Sequence, residues 1–419
     1  METLAEKKVV WLINKHAAPI KYNATNMRTY KLAYYFTQMG YNAYIISSSF
    51  VHNRNIDLIN SNKHIEEKEY DGVKFIHIKT CPYSSNKLKR VYSIYQFSKR
   101  LLQYKNALPK PDIIIHSCCI PFDYLIYKCA KNLKAKYVLE IVDLWPESFV
   151  AFGLMKKNNP LLKLMYQVEK YLYTKADNVV FSMEGGIDYL KEKKWDLENG
   201  GSIDLGKVYY LNNGVDIDDF DENLVNYKIE DRDLENDDVK KVIYLGSIRR
   251  ANNLMQLIKA ASYFKNDSSV KFLIYGDGED REVLVKYCSD HGLTNICFKQ
   301  KWIEPKYVPF VLSCSYINIV NYMPNAVVRY GGSQNKLFQA LASGRPICSN
   351  VGMGYSIITK YNVGCDVNFK NSYSYYKAIK MLLDLPNEEY EAMCRRARVA
   401  AIDFDLKKLA EIYSQELLS

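Results

Sequence analysis

Short apolar runs alternate with longer amphipathic stretches along the whole chain, the pattern of βαβ units and parallel sheets. In the first half the predicted strands are Val9–Asn14, Ala43–Ser48, Val73–Ile78, Asp112–Ser117, Tyr137–Asp143 and Asn178–Ser182. Helical periodicity falls between most of them, notably over Asn26–Met39, Tyr124–Asn132 and Leu161–Lys175. The series restarts with Lys241–Gly246, Val270–Tyr275, Ile296–Lys299, Tyr316–Asn321 and Pro346–Ser349. No strict sequence repeat relates the halves; the architecture is what repeats.

Between the two series, Asp216–Lys240 holds eleven Asp and Glu and few apolar residues. It reads as a solvated connection between two α/β domains, residues 1–215 and the chain from 241 onward. Two doubly wound domains facing a central cleft would place their strand carboxyl ends, where open α/β sheets bind ligands, around that cleft.

Composition narrows the class. The 419 residues exceed what one compact core accommodates, and 48% hydrophobic with 25% charged residues is ordinary globular usage. No apolar run approaches the roughly 20 residues that span a bilayer. Met1 to Lys8 is charged and leads into a strand, which is not the pattern of a signal peptide. Ten cysteines form no CxxC pair, and the adjacent Cys118-Cys119 sit in an apolar segment. They read as reduced, buried thiols of a cytoplasmic protein, with no metal expected on them. Charge is uneven: residues 1–215 carry a net +11 and the remainder a net −1. An anionic membrane surface, an anionic lipid, a nucleic acid or a bland solvated surface each accounts for that excess.

The candidate chemistry sits at strand ends. Gly331-Gly332 leads into Ser333–Ala342, read as a helix capped by Ser333 and stopped at Gly344, with Pro346-Ile347-Cys348 as a buried strand. Exposed N–H groups at such a helix start attract anions, and Lys336 adds a full charge in the first turn. A diphosphate fits there; an ordinary capped surface helix is the alternative. Gly246-Ser247-Ile248-Arg249-Arg250-Ala251-Asn252-Asn253 follows a strand and precedes a helix from about Leu254, and arginine suits phosphate because its planar fork donates two parallel hydrogen bonds. The glycines of Tyr275-Gly276-Asp277-Gly278 admit a ligand or simply a tight turn, and the GxGxxG fingerprint is absent because position 281 is Arg.

In the first half, Asp143, Trp145 and Glu147 cluster after a buried strand. Asp143 is read as a functional carboxylate that positions a hydroxyl or accepts a proton, and Glu147 serves function or capping equally. His16 follows the first strand as a ligand contact or a surface histidine. Lys87–Lys105 combines a helical apolar stripe with six cations, which suits either an anionic headgroup layer or packing on the sheet with solvated lysines.

These motifs together resemble family-four glycosyltransferases of the GT-B type, in particular the fucosamine-transferase-like enzymes of bacterial surface polysaccharides. The resemblance rests on Asp143–Ser148, Asn212-Asn213-Gly214-Val215-Asp216 with Phe220, Gly246–Arg249, Gly276-Asp277-Gly278, and Asn335–Phe338 through Gly344-Arg345-Pro346. It implies two Rossmann-like domains, the acceptor on 1–215 and the donor on 241–403, with 404–419 crossing back as a helix onto the first domain. It implies retaining, metal-independent transfer from a nucleotide-diphosphate sugar, with uridine the expected base and no cofactor.

Arg249 and Lys336 would neutralise the leaving diphosphate, with Asp143 the third catalytic residue. Gly246, Ser247, Arg250, Gly276, Gly278, Ser333, Asn335 and Gln339 would contact the donor, and His16, Arg28 and Glu147 the acceptor. The expected acceptor is a lipid-linked saccharide for capsule, exopolysaccharide or O-antigen, met by a cytoplasmic protein peripheral at the inner face of an anionic membrane. Nucleic acid is not an expected partner.

The sequence departs from the family in three places. Gly331 and Gln339 stand where two glutamates eight positions apart are usual, Val142 stands for a histidine, and Lys21-Tyr22-Asn23-Ala24-Thr25 replaces a glycine pair. A nucleotide-sugar epimerase and a non-catalytic, nucleotide-sugar- or lipid-binding subunit are the alternative readings.

Overall fold

The computed structural model describes residues 7–22, 27–52, 54–83, 86–117 and 122–418. Met1–Glu6, Asn23–Asn26 and Cys118-Cys119, on which parts of the readings above fall, lie outside the described residues. The chain divides into two compact units: residues 1–212 together with 406–419, and residues 213–405.

The first unit is built on an eight-stranded sheet. Its strands are β1 (Val9–Ile13), β2 (Asn42–Ser48), β5 (Ile65–Tyr70), β6 (Val73–Ile78), β7 (Ile113–Ser117), β8 (Lys136–Ile141), β9 (Asn178–Phe181) and β10 (Val208–Tyr210). A small antiparallel pair, β3 (Phe50–Val51) and β4 (Ile56–Asp57), branches off after β2. The order is β10-β9-β8-β7-β1-β2-β6-β5, parallel except for β5 against β6. That edge hairpin turns on Asp71-Gly72, both at positive φ, the geometry that joins two strands with matching twist.

The connecting helices are α1 (Met27–Gln38), α2 (Lys87–Tyr104), α3 (Tyr124–Leu133), α4 (Trp145–Ala151), α5 (Pro160–Lys175) and α6 (Gly186–Glu192). Central strands such as β7, which reads IIIHS, are apolar because both sheet faces are covered. In α2, Ile94, Phe97 and Leu101 are buried, so its apolar stripe packs inward.

The second unit opens with α7 (Ile217–Asn226) and α8 (Arg232–Glu235). Its sheet contains β11 (Lys240–Leu245), β12 (Val270–Tyr275), β13 (Ile296–Phe298), β14 (Ile317–Val320), β15 (Ile347–Ser349) and β16 (Gly364–Asp366). All pairings are parallel in the order β13-β12-β11-β14-β15-β16, the doubly wound arrangement of a Rossmann domain, which reverses direction at β11. Its helices are α9 (Leu254–Ala261), α10 (Arg281–Asp290), α11 (Val308–Ser313), α12 (Asn335–Ala342), α13 (Ile357–Lys360), α14 (Ser372–Leu383) and α15 (Asn387–Asp403). The last helix, α16 (Leu406–Glu416), belongs to the first unit, where Leu406, Leu409, Ala410 and Tyr413 join the core over α1.

The acidic stretch 216–240 is structured rather than a free tether. Asp216 caps α7 by accepting from Asp219 N at 3.0 Å, and Phe220 and Leu234 are buried. Its acids are also ion-paired: Asp231 with Lys299 at 2.7 Å, Asp233 with Lys271 at 2.5 Å, Asp221 with Arg398 at 2.5 Å and Asp237 with Lys241 at 3.7 Å. Its charge reflects capping and pairing at the margin of the second sheet. Among the described residues no helix is long and apolar enough to cross a membrane.

Candidate active site

In the second unit the chemistry collects at the carboxyl end of β11, the strand where the sheet order reverses. β11 runs into Gly246 at φ 156°, and β12 into Gly276 at φ 124° and Gly278 at φ 155°. The two loops lie backbone against backbone. Gly246 N donates to Tyr275 O at 3.1 Å and Ile248 N to Asp277 O at 2.8 Å. A Cβ on Gly276 would stand 1.9 Å from Gly246 O, and one on Gly278 2.2 Å from Ile248 O. These two glycines, expected to contact the donor, are required by the packing of one loop on the other.

Lys336 enters this edge from the first turn of α12. Its Nζ donates to Tyr244 Oη at 3.3 Å, sits 5.0 Å from the centre of the Tyr244 ring, and lies where a Gly246 Cβ would approach it to 3.3 Å. Tyr244 in turn donates to Ser247 O at 2.6 Å. The Asn252 amide is satisfied when its nitrogen faces Ser247 O at 2.8 Å, and its oxygen then accepts from Lys336 Nζ at 3.2 Å. Both partners are neutral. The ammonium is half-buried by surface area and crowded by protein, and that desolvation lowers its pKa to about 8. A desolvated cation with neutral ligands at a strand end has the chemistry to receive an anion.

Arg249 and Arg250 are exposed on the same loop, and neither guanidinium has a partner among the described residues. Exposed Ser247 shares the loop. Asn335 is exposed and Gln339 half-buried on α12.

Ser333 does not cap α12. The helix begins at Asn335, its cap position is Gln334, and no side chain caps it, so its first N–H groups lack a side-chain acceptor there. The chain turns at Gly331 (φ 98°) and is extended at Gln334, so the helix starts past Ser333. Ser333 acts through its carbonyl oxygen, which accepts from Asn213 Nδ2 at 3.0 Å; the same amide bonds Asn335 Oδ1. At the far end Gly344 takes φ 63° and closes the helix as expected.

The first-unit residues divide differently. Asp143 is exposed just beyond β8, yet the surrounding protein desolvates its carboxyl enough to push it above the usual carboxylate range. Glu147 is buried and accepts from Lys193 Nζ and Tyr166 Oη, both at 2.6 Å. Burial works to raise its pKa, and these hydrogen bonds outweigh it and hold it low. Its bonds are thus made to α5 and to the residue after α6.

Arg28 is buried as well. Its Nε meets Glu140 Oε1 at 2.8 Å, its Nη2 donates to Leu211 O at 3.0 Å, and its Nη1 bonds Asn212 O. The acceptor role expected of Arg28 is replaced by an internal one, because every arm of its fork is spent on the fold. His16 stands at the end of β1, its ring 4.9 Å from that of His52.

Sequence reasoning missed Tyr244, Asn252 and Asn213 as site residues. Asn213 lay inside a recognised motif and Asn252 in a recognised loop. Tyr244 is one apolar-looking position in a strand, and only the structure reveals its hydroxyl under Lys336.

Residues 226–400 match the family described as Glycosyl transferases group 1. No curated protein matches the chain in sequence. Solved structures are similar over nearly the whole length. A glycosyltransferase from Rickettsia africae shares 16% identity over 98% of both chains with a TM-score of 0.63. Anabaena HepE, solved in complex with UDP and glucose, shares 12% over 98% of this chain and 99% of that one with a TM-score of 0.64. The α,α-trehalose 6-phosphate synthase from Burkholderia multivorans shares 12% over 99% and 98% with a TM-score of 0.71. At these identities the likeness establishes the fold, which is GT-B with two Rossmann-like units. The glycosyl transferase group 1 match thus falls on residues 226–400 of a chain that has the GT-B fold.

Proposed function

We propose that the chain transfers a sugar from a UDP-sugar, with retention and without a resident metal, to a lipid-linked saccharide destined for a surface polysaccharide. The observation that carries the donor half is the Lys336 ammonium, desolvated beside Gly246 and hydrogen-bonded, among the described residues, to the neutral Tyr244 and Asn252. As the glycosidic bond breaks, negative charge grows on the departing diphosphate. A fixed cation in a partly desolvated site stabilises that charge more than the ground state, and Arg249 and the uncapped start of α12 add to it. These protein groups supply the charge that a divalent ion supplies elsewhere, which is why activity is expected to survive chelation. Asp143, with its raised pKa, is suited to receive or position the proton of the attacking hydroxyl. Uridine is favoured because HepE, of the same fold, was solved with UDP.

The membrane half of the proposal rests on surface chemistry of the first unit. Leu88 is 83% exposed and Leu154 69%, with Val91, Tyr92, Phe152, Leu161 and Leu164 also exposed. From Ser148 to Lys175 the chain carries five lysines and a single acid, Glu169, which is buried. Apolar side chains among uncompensated cations match an anionic bilayer surface. The deciding experiment incubates the protein with UDP-sugars and lipid-linked acceptors in EDTA and determines product anomer by NMR. Transfer with retention supports the reading. Hydrolysis or epimerisation without an acceptor product, or inversion, overturns it.

A second reading, a nucleotide-sugar-binding subunit without transfer, is favoured by Gly331 and Gln339 at the two positions where carboxylates are usual. UDP binding with no turnover of any donor on native acceptor would select it.

A further inference from the structure

Two cysteines face each other across the edge of the second sheet. Cys348, in the middle of β15, is the register partner of Cys365, in the middle of β16. Register partners on adjacent strands stand about 4.8 Å apart and point to one face, inside the roughly 4.4–6.8 Å between Cα atoms that a disulfide spans. The two backbones are tightly apposed one residue earlier. Gly364 takes φ 152°, and a Cβ there would lie 1.8 Å from Ile347 O. Both cysteine side chains pack on the core that holds Phe369 and Tyr375. Cys348 is fully buried and Cys365 half-buried, which leaves Cys365 the one that solvent approaches. β16 has three residues and pairs on one side only, so it is free to shift toward β15.

The two thiols differ chemically in the same sense. A hydrogen bond from Cys348 holds the Cys365 thiol below its ordinary pKa and raises that of Cys348. The buried thiols of Cys129 and Cys288 are instead pushed up by desolvation, to about 12 and about 11. A thiol of lowered pKa, open to solvent and beside a second thiol, is the arrangement that peroxides oxidise reversibly. We propose that Cys348 and Cys365 form a redox-sensitive pair that hydrogen peroxide converts to a disulfide, and that the closed bond weakens donor binding. The Cys365 thiolate attacks one peroxide oxygen, giving a sulfenic acid and hydroxide. The Cys348 sulfur then displaces the sulfenic hydroxyl as water, so two thiols and one peroxide give one disulfide and two waters.

Closing the bond draws the Cβ atoms to about 3.5–4.5 Å and moves β16. The residue after Cys365 carries that shift toward the donor edge. Asp366 accepts from Gly352 N at 2.8 Å, Met353 N at 3.0 Å and Ser356 Oγ at 2.6 Å. In the loop so held, Gly354 N donates to Val328 O at 3.0 Å, and a Cβ on Gly354 would lie 1.8 Å from Arg329 O. Val328 and Arg329 belong to the turn that leads through Gly331 to α12. The effect on binding rests on the reading of that edge as the donor site.

The test treats the full-length protein with hydrogen peroxide and then with dithiothreitol. Cysteine peptides are mapped by mass spectrometry, and each form is titrated with UDP by calorimetry in EDTA. Expected is a peptide pair joined through Cys348 and Cys365, lighter by two hydrogens than the separate peptides and released by dithiothreitol. UDP affinity should fall about fivefold or more on oxidation and return on reduction. Cys365→Ser, a near-isosteric change on the half-buried partner, should bind UDP like the reduced protein and keep that affinity through the peroxide step. Cys348→Ala, the second variant, should behave in the same way. Failure of the two cysteines to link, or a peroxide effect on UDP binding that survives in both variants, overturns the switch. A linked pair with unchanged UDP affinity overturns its coupling to the donor edge. If the reduced protein binds no UDP, the donor reading fails and the coupling with it, while the peptide map alone decides the pair.

Discussion

Tyr413 Oη donates to Glu140 Oε1 across 2.7 Å, joining the last helix of the chain to the eighth strand of the first sheet. The same carboxylate takes Arg28 Nε at 2.8 Å and, on its other oxygen, Ser117 Oγ at 2.8 Å. Glu140 is thereby fully engaged in the core, and Arg28 extends the network to the carbonyl oxygens of residues 211 and 212. The clasp ties the last helix, and the residues just before the chain leaves the first unit at 212, into the core of that unit. Tyr413→Phe keeps the ring packing and removes one hydrogen bond to a buried carboxylate. It should cost about 1–3 kcal/mol of stability, read by urea unfolding. A loss under about 0.5 kcal/mol would show that the hydroxyl is not a structural bond.

Lys336→Met removes the desolvated ammonium while keeping the stem packed. UDP affinity should drop, and the rate constant for transfer should fall by about 10²- to 10³-fold, the range for loss of one preorganised charge-stabilising group. A variant with normal turnover would mean that the diphosphate sits elsewhere.

The lowered pKa of Lys336 sets a pH dependence with a definite sign. Below about 8 the ammonium is charged and attracts the diphosphate, and above that value it progressively loses its proton. UDP affinity should therefore fall as pH rises through this range, by up to about tenfold per unit. In Lys336→Arg the side chain stays charged, so that limb should flatten even if affinity is lower overall. Parallel profiles for the two proteins would assign the dependence to another group.

Gly276→Ala tests whether the donor loops need their close approach. The new Cβ would meet a backbone oxygen at 1.9 Å, at a φ that favours glycine, so one loop must move. UDP binding should weaken at least tenfold and the melting temperature should fall. An unchanged UDP affinity would show that the loop geometry is not what holds the nucleotide.

Much of the fold was legible because buried parallel strands are uniformly apolar and well separated by helical periodicity. Val73–Ile78 and Val270–Tyr275 were read with their observed ends. β5 was not read, although Asp71-Gly72 between Tyr70 and Val73 is a strong hairpin signal; IEEKEY carries too many charges to look like a strand away from its edge position. The acidic stretch before β11 misled because charge density does not distinguish a free tether from caps and ion pairs. Lys336 and the Gly246–Arg249 loop, both singled out in the sequence, lie together where β11 ends. The internal role of Arg28 was not legible, since nothing local in a sequence tells an arginine aimed at a ligand from one aimed at a buried glutamate 112 positions away.

Glu169 gives the last prediction. Its carboxyl is fully enclosed between α5 and α6, where Tyr173 Oη and Tyr189 Oη donate to its two oxygens at 2.7 and 2.8 Å. Desolvation dominates these bonds and the attraction of Lys193, and it raises the pKa from 4.5 to about 7. The folded protein therefore holds this proton more tightly than the unfolded chain. The stabilisation is complete below the unfolded value and is lost as pH rises through the folded one, with a slope of up to about 1.4 kcal/mol per pH unit in between. Glu169→Gln cannot ionise and preserves the shape and one acceptor. The stability of the wild type should fall relative to this variant as pH rises from 4.5 to 7, measured by urea unfolding at a series of pH values. A difference between the two proteins that stays constant across that window would mean that Glu169 is ionised in the fold throughout, held by the two tyrosine hydroxyls and Lys193.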